Sequence, residues 1–227
     1  MLLIKINNFI DRAVFKRGSL MRFIVCGFFI LASLSSLLKE SSAAEYPWKL
    51  RINKEEITVY TRKVEASPIL EYKANMVIKV PLDKAIHFFE DIKNIPKWYY
   101  QCVQAELIQS DSPENIIYFV SRLPWPVTAR DCVFSWIKSI NQVSGEVIYT
   151  LHTVSGKFPE QKGRIRVIYI KSHWRFSPLK DGRTEVYFQQ HSDPGGIIPV
   201  FLVNKLSVEI PFYSFKNFRK MIQESKN

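Results

Sequence analysis

The feature of this sequence that most restricts its fold is a succession of strand-like segments separated by short turns. Eight segments rich in β-branched and aromatic residues occur, at 57–60, 69–80, 103–109, 116–123, 132–140, 146–154, 163–176 and 184–192. The breaks between the last six are short and rich in turn-forming residues. Such connections join antiparallel neighbours, because a parallel crossover needs a dozen or more residues. The sequence therefore predicts a strongly curved antiparallel sheet.

The sequence predicts helices in two places, one between the strand segments and one at the C-terminal end. Apolar residues recur at helical spacing over 82–89, which predicts a helix of about ten residues, and 94–100 is a candidate for a second short helix. A long apolar-faced helix is predicted from 197 to 225, with Pro199 in its first turn and a kink at Pro211. The fold class is α+β, and the space between sheet and terminal helix is either solid or hollow.

The first 44 residues have the pattern of a secretory signal peptide. The apolar run 23–32 follows a basic residue and is too short to cross a bilayer comfortably, and 41–44 offers small residues to a signal peptidase. Met21 is an alternative initiator. We predict a leader over 1–44, a mature domain over 45–227, and export to a periplasm or secretion; an uncleaved amphipathic anchor is the alternative.

Composition and motifs restrict the chemistry. At 47% hydrophobic and 23% charged residues the chain is an ordinary globular protein. Only Cys102 and Cys132 follow the leader, which is neither a disulfide framework nor a zinc site. No hydrolase, zinc-protease or phosphate-loop motif occurs, so we expect no cofactor, no metal and no enzymatic activity. The net charge of +11 is not grouped with stacking aromatics, which argues against nucleic-acid binding.

Aromatic residues make up 14% of the chain, more than a core of this size needs unless some line a cavity or an interface. The most informative stretch is Leu123-Pro124-Trp125-Pro126-Val127, in which two prolines stiffen a loop that projects a tryptophan. The alternative is that Trp125 caps the edge of the core. The Arg130-Asp131 pair that follows is interpreted as structural, since neighbours on a strand point to opposite faces.

These motifs, in order, resemble the START (StAR-related lipid transfer) domain. The resemblance spans most of residues 46–221, and it is carried by Leu123-Pro124-Trp125-Pro126-Val127, Arg130-Asp131, Gly195-Gly196-Ile197-Ile198-Pro199, Ile210-Pro211-Phe212 and Lys216-Asn217-Phe218-Arg219-Lys220. It implies a helix-grip fold, in which a curved antiparallel sheet encloses a tunnel for one lipid or sterol. The C-terminal helix and a loop, here 123–129, would close that tunnel, and the implied activity is binding or transfer.

The predicted function is thus the binding and transfer of one lipid or sterol-like molecule by a monomer that touches membranes transiently. Basic residues on the terminal helix, Lys205, Lys216, Arg219 and Lys220, fit a membrane-facing end. The predicted ligand-binding residues are Trp98, Trp125, Arg130, Phe134, His152, Phe201, Leu202, Leu206 and Phe215.

Two alternatives remain open. One is an enzyme on the same scaffold, a cyclase, aromatase or hydrolase that uses His152, Asp131 or Tyr187. The other is a sensor that transfers nothing, for which a filled interior would be the sign.

Overall fold

The structure, a computed structural model, describes residues 46–225. The predicted leader, 1–44, therefore lies outside the described residues. The strands are β1 (Lys49–Lys54), β2 (Ile57–Val64), β3 (Ser67–Ile78), β4 (Cys102–Asp111), β5 (Glu114–Ser121), β6 (Arg130–Ile140), β7 (Val147–Thr153), β8 (Ile165–Arg166), β9 (Tyr169–Pro178) and β10 (Thr184–Asp193). The helices are α1 (Leu82–Glu90), α2 (Ile95–Trp98) and α3 (Val200–Glu224), with a 3-10 turn at Ile92–Asn94.

The ten strands of the described chain form one curved sheet that does not close into a barrel. Its order is β1-β2-β3-β10-β9-β7-β6-β5-β4, with every neighbouring pair antiparallel, while the two-residue β8 pairs in parallel with the start of β6. Register shifts at Leu50/Ile52 and Arg62/Val64 mark bulges, which bend and twist a strand. The prediction of a curved antiparallel sheet under a C-terminal helix is confirmed.

Two elements differ from the sequence prediction. The single strand expected over 163–176 is divided into β8 and β9, because Ile165 and Arg166 pair with β6 while β9 pairs with β7 and β10. Apolar residues continue through Val167 and Ile168, so no sequence signal marks the change of partner. The edge strand β1 was not predicted, because its alternation is short and its side chains are mostly exposed.

One end of the interior is filled by aromatic side chains. The Phe89 ring of α1 lies 4.8–5.0 Å from the rings of Tyr149, Trp174, Phe176 and Trp136. From the other side, Phe218 of α3 meets Trp98 edge-on at 5.1 Å. Aromatic pairs at such distances add to the stability that their burial provides, so this cluster fixes the second half of α3 on the sheet.

The terminal helix begins at Val200, three residues later than predicted, with Pro199 at its N-cap and no capping side chain. It then runs uninterrupted through Pro211 to Glu224. No helix in residues 46–225 has the length and apolar character that crossing a membrane requires.

A cavity between the sheet and the terminal helix

The first half of α3 covers a cavity of about 150 Å³ on the inner face of the sheet. Its apolar lining comes from Phe119, Leu123, Cys132, Phe134, Leu151, Val167, Ile170, Trp174, Pro194, Ile198, Val203, Leu206 and Ile210. Its polar lining comes from Tyr72, Tyr99, Tyr100, Gln101, Ser121, Arg130, Asp131, Gln190, Ser192 and Ser207. The interior is therefore hollow beside α3's first half and solid beside its second half.

Trp174 marks the boundary between the hollow and the solid halves. It lines the cavity, stacks on Phe188 at 3.9 Å with the rings nearly parallel, and also contacts Phe89 of the aromatic cluster at 5.0 Å. On the hollow side the sheet and helix contribute small side chains, such as Ser121 and Ser207. Because large rings fill space where small residues leave it, this distribution explains where the cavity lies.

Arg130 is the charged group of the lining with the least usual surroundings. It is 2% exposed, and its guanidinium donates hydrogen bonds to three backbone carbonyls, those of Thr128, Pro194 (3.4 Å) and Gly195 (3.1 Å). No carboxylate within the described residues pairs with it. Desolvation lowers the pKa of Arg130, but an arginine keeps its proton in proteins. The site thus contains a buried positive charge that holds two loops together.

The turn that Arg130 holds depends on its two glycines. Gly195 and Gly196 both have φ of +65°, where residues with a Cβ are strained. A Cβ on Gly196 would also lie 3.0 Å from Ile165 Cδ1 and 3.3 Å from the Arg130 guanidinium. The glycines therefore let the turn that leads into α3 pack directly against Arg130.

Asp131, next in sequence, is committed to other partners. Its carboxylate accepts two hydrogen bonds from Arg166, both 3.0 Å long, and one from the Tyr118 hydroxyl at 3.1 Å. This hydrogen-bonded ion pair raises the pKa of Arg166. Tyr118 packs with Phe158 in a small cluster separate from the main core. The carboxylate is therefore already paired.

Two tyrosine hydroxyls supply further polarity to the cavity. Tyr72 is 3% exposed, and its hydroxyl has no hydrogen-bond partner in the described structure. The Tyr99 hydroxyl lies near enough to raise the pKa of Tyr72 further, although the two make no hydrogen bond of good geometry. Burial is the main cause that raises the pKa of both phenols, so both stay neutral donors at physiological pH.

Comparison with known proteins places this arrangement in a family. The model of the START domain matches residues 30–227. The chain belongs to the START domain family. This confirms the resemblance carried by the sequence motifs.

Individual relatives agree with this assignment. The crystal structure of a STAR-related lipid transfer protein fragment from Xanthomonas axonopodis has a TM-score of 0.73 and 30% identity, covering 78% of this chain and 99% of that one. An uncharacterized protein of Pseudomonas aeruginosa is 31% identical over 78% of this chain and 87% of its own length. Bovine phosphatidylcholine transfer protein is 26% identical, over 69% and 75% respectively.

Within this START domain, the residues predicted to bind ligand fall into three places. Arg130, Phe134 and Leu206 line the cavity. Trp98 and Phe215 belong to the aromatic core in the solid half, where both are buried. The structure therefore brings three of the nine candidates together around the cavity and puts these two behind its aromatic wall.

The other four candidates lie outside the lining. Trp125 and Phe201 are 93% and 75% exposed, and Leu202 is half-buried. His152 is exposed, because inward and outward positions alternate along β7 and Leu151 takes the inward one. Trp125 lies two residues beyond the lining residue Leu123, and Phe201 lies two residues before the lining residue Val203.

The sequence interpretation left Tyr72 and Tyr99 out of the site. For Tyr72 a signal existed, since alternation in the segment 69–80 places it on the apolar face of β3. Tyr99 carried no comparable signal, because it follows the short helix α2 and its position depends on how α2 packs on α3. Residues between regular elements are therefore the ones that the periodicity misses.

The groups considered for catalysis do not converge in the cavity. His152 is exposed, and the Asp131 carboxylate is bound by Arg166. Tyr187 alternates with the buried Val186 and Phe188, and its hydroxyl is hydrogen-bonded to Gln189. The described residues contain no group of three or more His, Cys, Asp or Glu side chains suited to a metal ion.

Proposed function

We propose that this START domain protein binds a single lipid or sterol-like molecule in the cavity and carries it between membranes without chemical catalysis. The observation that supports this most is the hollow, mostly apolar space covered by the uncapped first half of α3. The named relatives, a STAR-related lipid transfer protein and phosphatidylcholine transfer proteins, support the same class of activity.

The energetics favour a carrier of this kind. Burial of apolar surface contributes roughly 0.8 kcal/mol per methylene, so a sixteen-carbon chain loses about 13 kcal/mol when it enters water. A protein interior that replaces the membrane interior removes most of that barrier. No bond has to be made or broken.

The cavity has to enlarge as the ligand enters. An engineered apolar cavity of about 150 Å³ in another protein holds a molecule as small as benzene. A lipid is several times larger, so the 150 Å³ found here is too small to hold one. We infer that loading displaces the first half of α3 and the loop 122–129.

Exposed apolar side chains support docking of this end on a membrane. Trp125, Ile197 and Phe201 are strongly exposed, and each lies within two residues of a lining residue. A cluster of exposed apolar side chains beside an opening is typical of an interaction surface. The ligand would then pass directly between the apolar interior of the membrane and the cavity of the protein.

The basic residues of α3 divide between two ends of the helix. Lys205 lies in the first half and pairs with Glu209 at 3.5 Å. Lys216 pairs with Glu55 at 3.0 Å, and Arg219 donates to the Glu55 carbonyl at 2.7 Å. At 1.5 Å per residue these two lie roughly 24 Å or more from Val200. They anchor the second half of α3 to the turn between β1 and β2, so among the basic residues of α3 it is Lys205, in the first half, that would contact a membrane at the cavity end.

The leader pattern over 1–44 supports a further part of the proposal, that the protein works outside the cytoplasm, in a periplasm or after secretion. Fractionation of cells that express the epitope-tagged full-length chain, followed by detection of the tag in each fraction, would test the location. Recovery with the periplasm or medium is expected, and recovery with the cytosol would contradict it.

Mass spectrometry of the lipids that accompany the purified full chain tests the central proposal. We expect one lipid per protein, or stoichiometric uptake of a labelled lipid from vesicles. A protein that carries no lipid and takes up none from vesicles of phospholipid, fatty acid or sterol would refute it. Conversion of a bound molecule to a new product would favour the enzyme alternative.

A further inference from the structure

The buried guanidinium of Arg130 has fewer partners than its charge requires. Of its five N–H groups, three donate to the carbonyls of Thr128, Pro194 and Gly195, which leaves two without an acceptor in residues 46–225. Burying a charge is costly unless an opposite charge compensates it. The carboxylate next in sequence is taken by Arg166, so residues 46–225 supply no charge that compensates Arg130.

The position of Arg130 makes this charge available to a ligand. It lines the cavity at the end formed by Leu123, Pro194 and Ile198. Guanidinium groups bind phosphates and carboxylates through paired hydrogen bonds that are about twice as strong as neutral ones. An oxyanion in the cavity would therefore form stronger hydrogen bonds with the Arg130 guanidinium than the backbone carbonyls form with it.

A second, independent group in the same cavity also lacks a well-formed hydrogen bond. The Tyr72 hydroxyl is buried and has the Tyr99 hydroxyl near it, but the two make no hydrogen bond of good geometry, and a buried hydroxyl in that position costs free energy. Its ring is held against Phe188 at 5.5 Å, so the hydroxyl has little freedom to find a partner elsewhere. Because it is a neutral phenol, it offers a donor to an uncharged oxygen such as an ester carbonyl.

We propose that the cavity selects lipids that carry an oxyanion, a phosphate or a carboxylate, which Arg130 binds while Tyr72 donates a hydrogen bond to another oxygen of the same molecule. This inference rests on the proposed lipid binding and adds the substrate class. It also couples loading to opening. An oxyanion that takes N–H groups from the carbonyls of Pro194 and Gly195 releases the glycine turn that leads into α3.

Uptake from vesicles by the full chain tests the class of ligand. Phosphatidylcholine vesicles would contain a trace of labelled phosphatidic acid or of diacylglycerol with the same acyl chains, which differ only in the phosphate. We expect retention of phosphatidic acid to exceed that of diacylglycerol about tenfold or more. A labelled fatty acid distinguishes a carboxylate from a phosphate, and inorganic phosphate should displace neither lipid.

Variants separate headgroup binding from surface charge. Arg130→Met should bring the retention of phosphatidic acid and that of diacylglycerol to within about twofold of each other. Lys180→Gln, which removes an exposed positive charge from the turn between β9 and β10, should leave the ratio unchanged. Tyr72→Phe keeps the ring and removes an unpaired hydroxyl. It should fold at least as well as the parent and retain severalfold less phosphatidic acid.

The outcomes distinguish lipid binding itself from the selection of an oxyanion by Arg130. Uptake of no lipid at all would remove the proposed function. Equal retention of phosphatidic acid and diacylglycerol, or the same loss in Lys180→Gln as in Arg130→Met, would refute the oxyanion site and leave lipid binding intact. Displacement by inorganic phosphate alone would mean that the site binds a free anion.

Discussion

Arg130 and Asp131 are neighbours in sequence and both are buried, yet their charges have different partners. Asp131 is 1% exposed and forms a two-point ion pair with Arg166. Arg130 binds carbonyls at the cavity. The sequence interpretation treated the pair as structural, and the geometry supports this for Asp131. Arg130, which was also among the predicted ligand-binding residues, lies on the cavity lining.

Removal of the Asp131 carboxylate should destabilise the protein strongly. In Asp131→Ala the guanidinium of Arg166 loses its buried partner, which typically costs about 3–5 kcal/mol in the free energy of unfolding. Urea denaturation would measure this. Asp181→Ala removes a similar contact, to Arg183, at an exposed position and should leave the free energy of unfolding nearly unchanged. Equal effects of the two substitutions would contradict this account.

Cys102 and Cys132 should be unreactive in the folded protein. Burial raises the pKa of Cys102 and of Cys132 to about 12. Since the thiolate is the nucleophile, a raised pKa lowers the reactive fraction at pH 8, by about a thousandfold relative to an ordinary thiol. The rate of alkylation should rise about tenfold per pH unit while the fold persists. Labelling of native protein as fast as in urea would contradict this.

Sequence reasoning found part of the cavity at the level of residues. Phe134 and Leu206, which were predicted to bind ligand, line the cavity, and periodicity shows which side of a strand or helix is apolar. His152 was predicted to be a ligand-binding residue, but it is exposed. A strand with an apolar inner face can carry a histidine on either side, so the sequence does not show which way it points. Whether Trp98 lines a cavity or fills a core depends on packing that no local pattern contains.

At the scale of elements, α3 consists of two halves with different roles. The second half is fixed by Phe218 in the aromatic cluster and by the contacts of Lys216 and Arg219 with the β1–β2 turn. Between the halves, Pro211 has no N–H to offer the carbonyl of Ser207, and the Ser207 hydroxyl bonds back to Val203 at 3.1 Å. Both features weaken or bend a helix, so the first half is suited to move separately.

Asn204 is the polar contact that should hold the first half of α3 closed. Its side chain accepts from Leu70 N at 2.9 Å and donates to the Pro68 carbonyl at 3.2 Å. Since each such bond contributes about 1 kcal/mol, Asn204→Ala should speed lipid exchange between vesicles about fivefold or more. Asn217→Ala removes a side-chain bond to the Trp98 carbonyl from the fixed half and should leave the rate unchanged. Equal acceleration by both would rule out a separate lid.

The loop 122–129 should contribute to membrane contact through Trp125. Trp125→Ala removes a side chain that is 93% exposed, so stability should be unchanged while vesicle binding falls about tenfold. Co-sedimentation with vesicles measures the effect. Val143→Ala, at an exposed apolar position in the β6–β7 turn, is the matched control and should have no effect. Unchanged binding by Trp125→Ala would exclude this loop from docking.

For the whole molecule, loading should raise thermal stability. A cavity of 150 Å³ costs about 3–4 kcal/mol at 24 cal/mol per Å³, and a ligand that fills it recovers part of this. At roughly 2–4 °C per kcal/mol, Tm should rise by several degrees, which calorimetry would detect. Val203→Phe places a ring in the cavity and should reduce that rise. An equal rise in this variant would place the ligand elsewhere.

The global fold was more predictable than the cavity itself. The antiparallel meander and terminal helix follow from alternation and short turns, and the ordered motifs around Trp125 and Pro211 indicate the family. A hollow interior is a different kind of property, since it depends on which rings of the aromatic surplus pack together. Phe89 fills one half of the space between sheet and helix, while Ser121 and Ser207 leave the other half open.

The stacked pair of Trp174 and Phe188 has a consequence for the size of the cargo. Because these rings stand where the open space ends, they would limit how far an acyl tail of the proposed ligand could reach toward Phe89. Replacing Trp174 with a small residue would extend the compartment toward the far end of the helix. Under the proposed function, that one substitution would lengthen the molecule that the cavity can hold, with the sheet and the Trp125 loop left as they are.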